Sequence, residues 1–159
     1  MYYGRKPDYL SVIARGNFGG YVLTTEREMH PTKEKLLQRI CASLGGKAAE
    51  LEFGYGLTPG ASTDLKSATK MATKMVCEYG MYENEVGIAF IIEEELYHYP
   101  QVQNLINRIL VEQLKKARSI VDEHRDAVNR LVDAVMNSEQ KYLTQRELLN
   151  VYKGEGDRS

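Results

Sequence analysis

The sequence predicts a mainly α fold: a helical bundle with a small N-terminal β-hairpin or short sheet. Three observations predict it. Apolar residues recur at helical spacing in four long stretches, the first twenty-five residues read as β, and glycine or proline punctuates the joins. At the front, Tyr9-Leu10-Ser11-Val12-Ile13-Ala14 and Tyr21-Val22-Leu23-Thr24-Thr25 read as strands, and Arg15 to Gly20 supplies the glycines of a turn. Pro31 suits the first turn of a helix whose apolar face is Leu36, Leu37, Ile40, Cys41 and Leu44. Gly45-Gly46 ends or breaks it, and Ala48 to Phe53 can add a turn or two.

Residues 54–60 hold three glycines and a proline, which makes a loop. Ser62 or Thr63 can cap the next helix, which carries Leu65, Ala68, Ala72, Met75, Val76 and Tyr79 and stops at Gly80. The run from Val86 to Ile92 reads as a short strand, gated by Glu93-Glu94-Glu95. Pro100 opens the longest helix, with Val102, Leu105, Ile106, Ile109, Leu110, Leu114, Ala117 and Val121 in one stripe. A break near His124 leads to a helix with Val128, Leu131, Val132, Val135 and Met136. Thr144-Gln145-Arg146-Glu147 has capping-box spacing and starts a closing helix through Leu148, Leu149 and Tyr152.

Composition narrows the function. With 43% hydrophobic and 27% charged residues, the chain has the make-up of a globular protein. A net charge of −1 supplies no field for nucleic acid or an anionic membrane, so no nucleic-acid partner is expected. The Val86–Ile92 run is far short of the ~20 residues that span a bilayer, and Met1 to Lys6 lacks the apolar core of a signal peptide. Cys41 and Cys77 both fall on apolar helix faces, which predicts buried free thiols and a reducing, cytoplasmic compartment.

The chemistry centres on Asp64, in Thr58-Pro59-Gly60-Ala61-Ser62-Thr63-Asp64-Leu65 at the opening of a helix. An aspartate there serves ordinarily as a cap or as a complement to the helix dipole. It can equally be one ligand of a metal, but one carboxylate cannot hold zinc alone. The three histidines offer no replacement site: His30 precedes a helix, His98 follows an acidic turn, and His124 sits in a charged helix break, all read as solvated. There is no H-x-x-x-H spacing, no G-x-S-x-G elbow and no G-x-x-x-x-G-K-[ST] loop.

Several blocks together carry a family resemblance over most of the chain, from about Leu10 to Val151. They are Ser11 to Gly16 with Gly20-Tyr21-Val22, then Gly45-Gly46-Lys47-Ala48-Ala49-Glu50, then Gly60-Ala61-Ser62-Thr63-Asp64, and finally Val76 to Met81. In that order and spacing they resemble the peptidase domain of the FtsH-type, ATP-dependent zinc metalloproteases. Pro59 and Thr63 depart from that family's usual Thr and Asn, and residues 82–100 look shorter than in typical members.

The resemblance implies that Asp64 is the third zinc ligand, the other two being histidines of an H-E-x-x-H helix whose Glu is the general base. This sequence contains no H-E-x-x-H, so it contributes no catalytic residue of its own. Family spacing places the second histidine a handful of residues before Met1. The chain is therefore expected to be an FtsH-like peptidase domain lacking its zinc helix, the downstream part of a longer protein. Residues 1–153 would form one incomplete domain, with a zinc-site lobe over 1–99 and a C-terminal helical bundle over 100–153, and residues 154–159 a flexible tail.

By resemblance, the partners are unfolded protein substrates, an upstream AAA+ ATPase module and further copies in a hexamer. A substrate strand would pair with Gly19, Gly20, Tyr21 and Val22, although the glycines can equally serve the turn alone. Zinc is expected in the complete domain. By itself, the chain is expected to be inactive and to bind zinc weakly or not at all. A non-catalytic pseudoprotease that binds partners without cutting them is the second reading, and a generic helical adaptor the third.

Overall fold

The computed structural model describes residues 7–12, 21–23, 30–54, 56, 58–88 and 91–154. These fall into two compact units, one from residues up to Glu28 together with Ile120 onward, the other spanning Met29–Ser119. Helix dominates both, as the apolar spacing predicts.

In the first unit, β1 (Tyr9–Ser11) pairs antiparallel with β2 (Tyr21–Leu23), so the predicted hairpin pairing is present; residues 13–20 lie outside the described residues. A third strand, β3 (Tyr142–Thr144), pairs with the other side of β1, giving the order β2-β1-β3. Leu10 is cross-strand to both Val22 and Leu143, so these three share one face of the sheet. That face contributes Leu143 and Leu10 to a core completed by Val135 and Leu148, with Val12, Leu131 and Ala134 around it.

Thr144 closes this unit as expected. It donates its backbone N–H and its hydroxyl to Glu147, both at 2.7 Å, and the capping box starts the last helix, Gln145–Lys153. Those two hydrogen bonds hold the Glu147 carboxyl below its ordinary value near 4.5. A lowered carboxyl contributes stability above its unfolded pKa and loses it as pH falls through the folded one. Thr144→Ala is accordingly expected to cost about 1 kcal/mol near neutral pH. In thermal melts the gap between variant and wild type should narrow as the pH falls below the ordinary carboxyl value near 4.5.

The second unit is built on α1 (Lys33–Ser43), α2 (Gly45–Phe53) and α3 (Ser62–Cys77). α1 and α3 pack directly against each other. α1 buries Leu36, Ile40 and Cys41, and α3 buries Ala68, Ala72, Met75, Val76 and Cys77. Both cysteines are buried thiols outside any disulfide, as the sequence predicts. Pro31 stays outside α1, which is capped by Thr32 through the Lys35 N–H. Gly45 and Gly46 lie inside α2, with Leu44 alone separating it from α1.

The predicted Val86–Ile92 strand is absent among the described residues. Val86 ends α4 (Glu83–Val86), Gly87 breaks the chain with φ +85°, and the acidic segment Glu93–His98 is a 3-10 helix. α5 (Pro100–Glu123) opens at Pro100 as predicted and crosses the unit boundary between Ser119 and Ile120. The break at His124 separates it from α6 (Arg125–Asn137), and the Gln145–Lys153 helix is α7. Among the described residues, no helix is long and apolar enough to cross a membrane.

Candidate metal centre

Asp64 lies in the first turn of α3, approached through a 3-10 turn at Pro59–Ala61. Ser62 and Thr63 do not cap α3; the N-cap is Ala61, which makes no side-chain capping bond. The capping role has moved upstream, where the Thr58 hydroxyl accepts the Gly60 N–H at 3.2 Å and starts the 3-10 turn. Asp64 is thus spared local work. It makes no hydrogen bond or ion pair among the described residues, and its side chain is exposed.

The surroundings of that carboxylate come from α2. A Cβ added at Gly46 would stand 3.9 Å from Asp64 Oδ2, so the glycine and the carboxylate are near neighbours. Partial burial pushes the Asp64 carboxyl above its ordinary value near 3.8. An exposed carboxylate with no partner among the described residues is open to a ligand or cation, and it also complements the N-terminal end of the helix dipole.

One turn along the same helix, Glu50 grips the loop that leads to α3. Its carboxylate accepts the Thr58 hydroxyl through Oε1 and the Thr58 N–H at 3.3 Å through Oε2. These bonds hold the Glu50 carboxyl below its ordinary value near 4.5. Gly46 and Glu50 stand in the sequence block quoted above, four residues apart and so on one helix face. Thr58, by contrast, carries no signal beyond turn composition.

Among the described residues, no three His, Cys, Asp or Glu side chains come together as a metal site. His30 and His98 are exposed, as expected for solvated residues. His124 is not simply solvated: it is half-buried, with its ring edge-on to Tyr152 at 6.0 Å between centroids. Asp64 has the chemistry of one zinc donor, but one carboxylate does not make a zinc centre, and the described residues do not fit the metal by themselves.

The strand proposed for substrate pairing is β2. Gly19 and Gly20 lie outside the described residues, and of Tyr21 only its place in the strand is described. Val22 is 58% exposed. With Leu10, Leu131, Leu148 and Tyr152 it lines an apolar concavity of about 310 Å³. Among the described residues, β2 has a neighbour on one side only.

Comparison with known proteins decides the family. The family model described as Peptidase family M41 matches residues 4–151. The chain belongs to peptidase family M41. This M41 chain is 31% identical over 163 residues to ATP-dependent zinc metalloprotease FtsH 1 of Thermoanaerobacter sp., covering 92% of the chain and 26% of that relative. The FtsH of Mycoplasma genitalium is 34% identical over 147 residues, covering 82% of the chain and 20% of the relative. The Thermus thermophilus FtsH is 25% identical over 158 residues, covering 91% and 25% respectively. The M41 chain therefore spans about a quarter or less of the length of these curated relatives.

Proposed function

We propose that this M41 chain is the downstream part of an FtsH-like zinc endopeptidase domain that degrades unfolded proteins, with Asp64 as its third metal ligand. The observation that carries the reading is the exposed Asp64 carboxylate beside Gly46, which makes no hydrogen bond or ion pair among the described residues, inside a match covering residues 4–151. The two histidines and the catalytic Glu belong to an H-E-x-x-H helix that the 159 residues do not contain. A metal held by such a set makes a nucleophile of bound water. The chain's own part is to present one anionic ligand and to receive substrate.

Reception falls to β2. An extended segment can add, by main-chain hydrogen bonds that tolerate many sequences, to the side of β2 that has no neighbour among the described residues. A residue facing Val22 from that added strand would lie over the apolar concavity, favouring an aliphatic or aromatic side chain. Residues 1–153 act as one incomplete peptidase domain in the cytoplasm, served by a AAA+ module that delivers unfolded chains to a hexamer.

The absence of H-E-x-x-H from the sequence also favours a second reading, a pseudoprotease that holds extended segments without cutting them. One experiment separates the two. A helix bearing H-E-x-x-H is joined ahead of Met1, and zinc content and cleavage of a fluorescently labelled unfolded protein are measured. Stoichiometric zinc and cleavage are expected, with neither seen in the 159-residue chain alone. A folded but metal-free and inert product would favour the pseudoprotease. Tight zinc binding by the unextended chain would overturn both.

A further inference from the structure

Asp64 is exposed and makes no hydrogen bond or ion pair among the described residues, so the backbone that carries it sets where its carboxylate can reach. The structure offers a chain of contacts that begins on α2. Glu50 receives both the hydroxyl and the N–H of Thr58, and the same hydroxyl oxygen receives the Gly60 N–H. Pro59 restricts the backbone between them. The Ser62 N–H then donates to the Pro59 carbonyl, and α3 starts at Ser62. Asp64 follows within that first turn, returning to α2 opposite Gly46.

Two glycines make the path possible. A Cβ at Gly60 would sit 3.1 Å from Thr58 Oγ1, tight enough to push the hydroxyl from its place. A side chain at Gly46 would grow toward the Asp64 carboxylate. Glu50 and Gly46 are one turn apart on α2, so a single rigid face sets both the loop and the space that Asp64 occupies.

We infer that Thr58 is a positioning residue, whose hydroxyl relays the Glu50 anchor to the start of α3 and so aims the Asp64 carboxylate along α2. The inference rests on the reading of Asp64 as a ligand for its purpose, but its geometry stands without any metal. Thr58 is exposed, so replacing it removes nothing from the core.

The test uses the full 159-residue chain with ¹³C-labelled aspartate carboxyls, the Asp64 resonance being assigned with Asp64→Asn. In Thr58→Val, the Gly60 amide should exchange roughly three- to tenfold faster, the worth of one net hydrogen bond. The Asp64 carboxyl resonance should move in the same variant, and Glu50→Ala should move it likewise. Thr58→Ser should keep both readings at wild type, because it retains the hydroxyl. An Asp64 resonance that stays fixed while Gly60 exchange accelerates would confine Thr58 to its own loop and overturn the inference. So would a Thr58→Ser variant that behaves like Thr58→Val, or a Gly60 amide unaffected by either. No zinc enters these measurements, so failure of the zinc-helix fusion would refute the ligand reading and leave this result untouched.

Discussion

Asp64→Asn is expected to abolish zinc retention and peptide cleavage in the chain extended by an H-E-x-x-H helix. The change is nearly isosteric but replaces an anionic oxygen with a neutral amide, a poor zinc donor. Losing a partner one shell out from a metal costs 10–100-fold in affinity or activity, so losing a ligand should exceed roughly 100-fold. Metal content after dialysis and the initial cleavage rate are the readouts.

The same substitution should hardly affect folding. Asp64 makes no hydrogen bond or ion pair among the described residues, and surface changes of this kind usually fall within about 0.5 kcal/mol. Partial burial raises its carboxyl above the ordinary value near 3.8. A raised acid works against the fold once ionised, so its penalty is absent below the unfolded pKa and complete above the folded one. Asp64→Asn removes that penalty and also forfeits the small dipole gain of a first-turn anion. Loss of function with unchanged melting is the signature of a ligand. A clear drop in melting temperature would instead mark Asp64 as a cap.

Much of the fold was legible in the residues because its signals are local. The stripe from Val102 to Val121 specifies α5, and Thr144 with Glu147 specifies the start of α7 within four residues. Strand β3 was not legible as a strand. Its three residues gain their structure from β1, more than a hundred positions away, and no local pattern records that pairing. The Val86–Ile92 run failed for the opposite reason. A short apolar stretch fits a strand or a helix end equally, and Gly87 in the left-handed region decides against a continuous strand. Gly45 and Gly46 look like a helix stop, yet α2 accommodates both because Leu44 already separates it from α1.

At the candidate site, the sequence exposes Asp64 and the Gly46–Glu50 block but not their relation. That relation is tertiary: α2 and the start of α3 are brought together across an intervening loop, with Thr58 as the link. Resemblance supplied the role of Asp64, and folding supplied its surroundings. Neither alone distinguishes a ligand from a cap, because both readings place an aspartate in a first helical turn. Metal retention and melting behaviour of Asp64→Asn are what separate them.

Ile40→Ala should produce the largest loss of stability, about 2–5 kcal/mol, within a typical total of roughly 5–15 kcal/mol. Ile40 is 0% exposed in the middle of α1. α1 lies directly against α3, whose Ala68, Ala72 and Met75 are equally buried. The cost within that range depends on how far the surrounding side chains can close over the vacated space. Ile40→Val removes one methylene and should cost about 0.5–1.5 kcal/mol. Denaturant unfolding followed by circular dichroism gives both values. Because the described residues form two compact units, a single transition has to be verified with a second probe before a free energy is extracted. α3 carries Asp64, so Ile40→Ala should also weaken zinc retention in the helix-extended chain, in proportion to the fraction unfolded. Asp64→Asn should lose the metal with no unfolding at all, and that contrast separates damage to the scaffold from damage to the ligand.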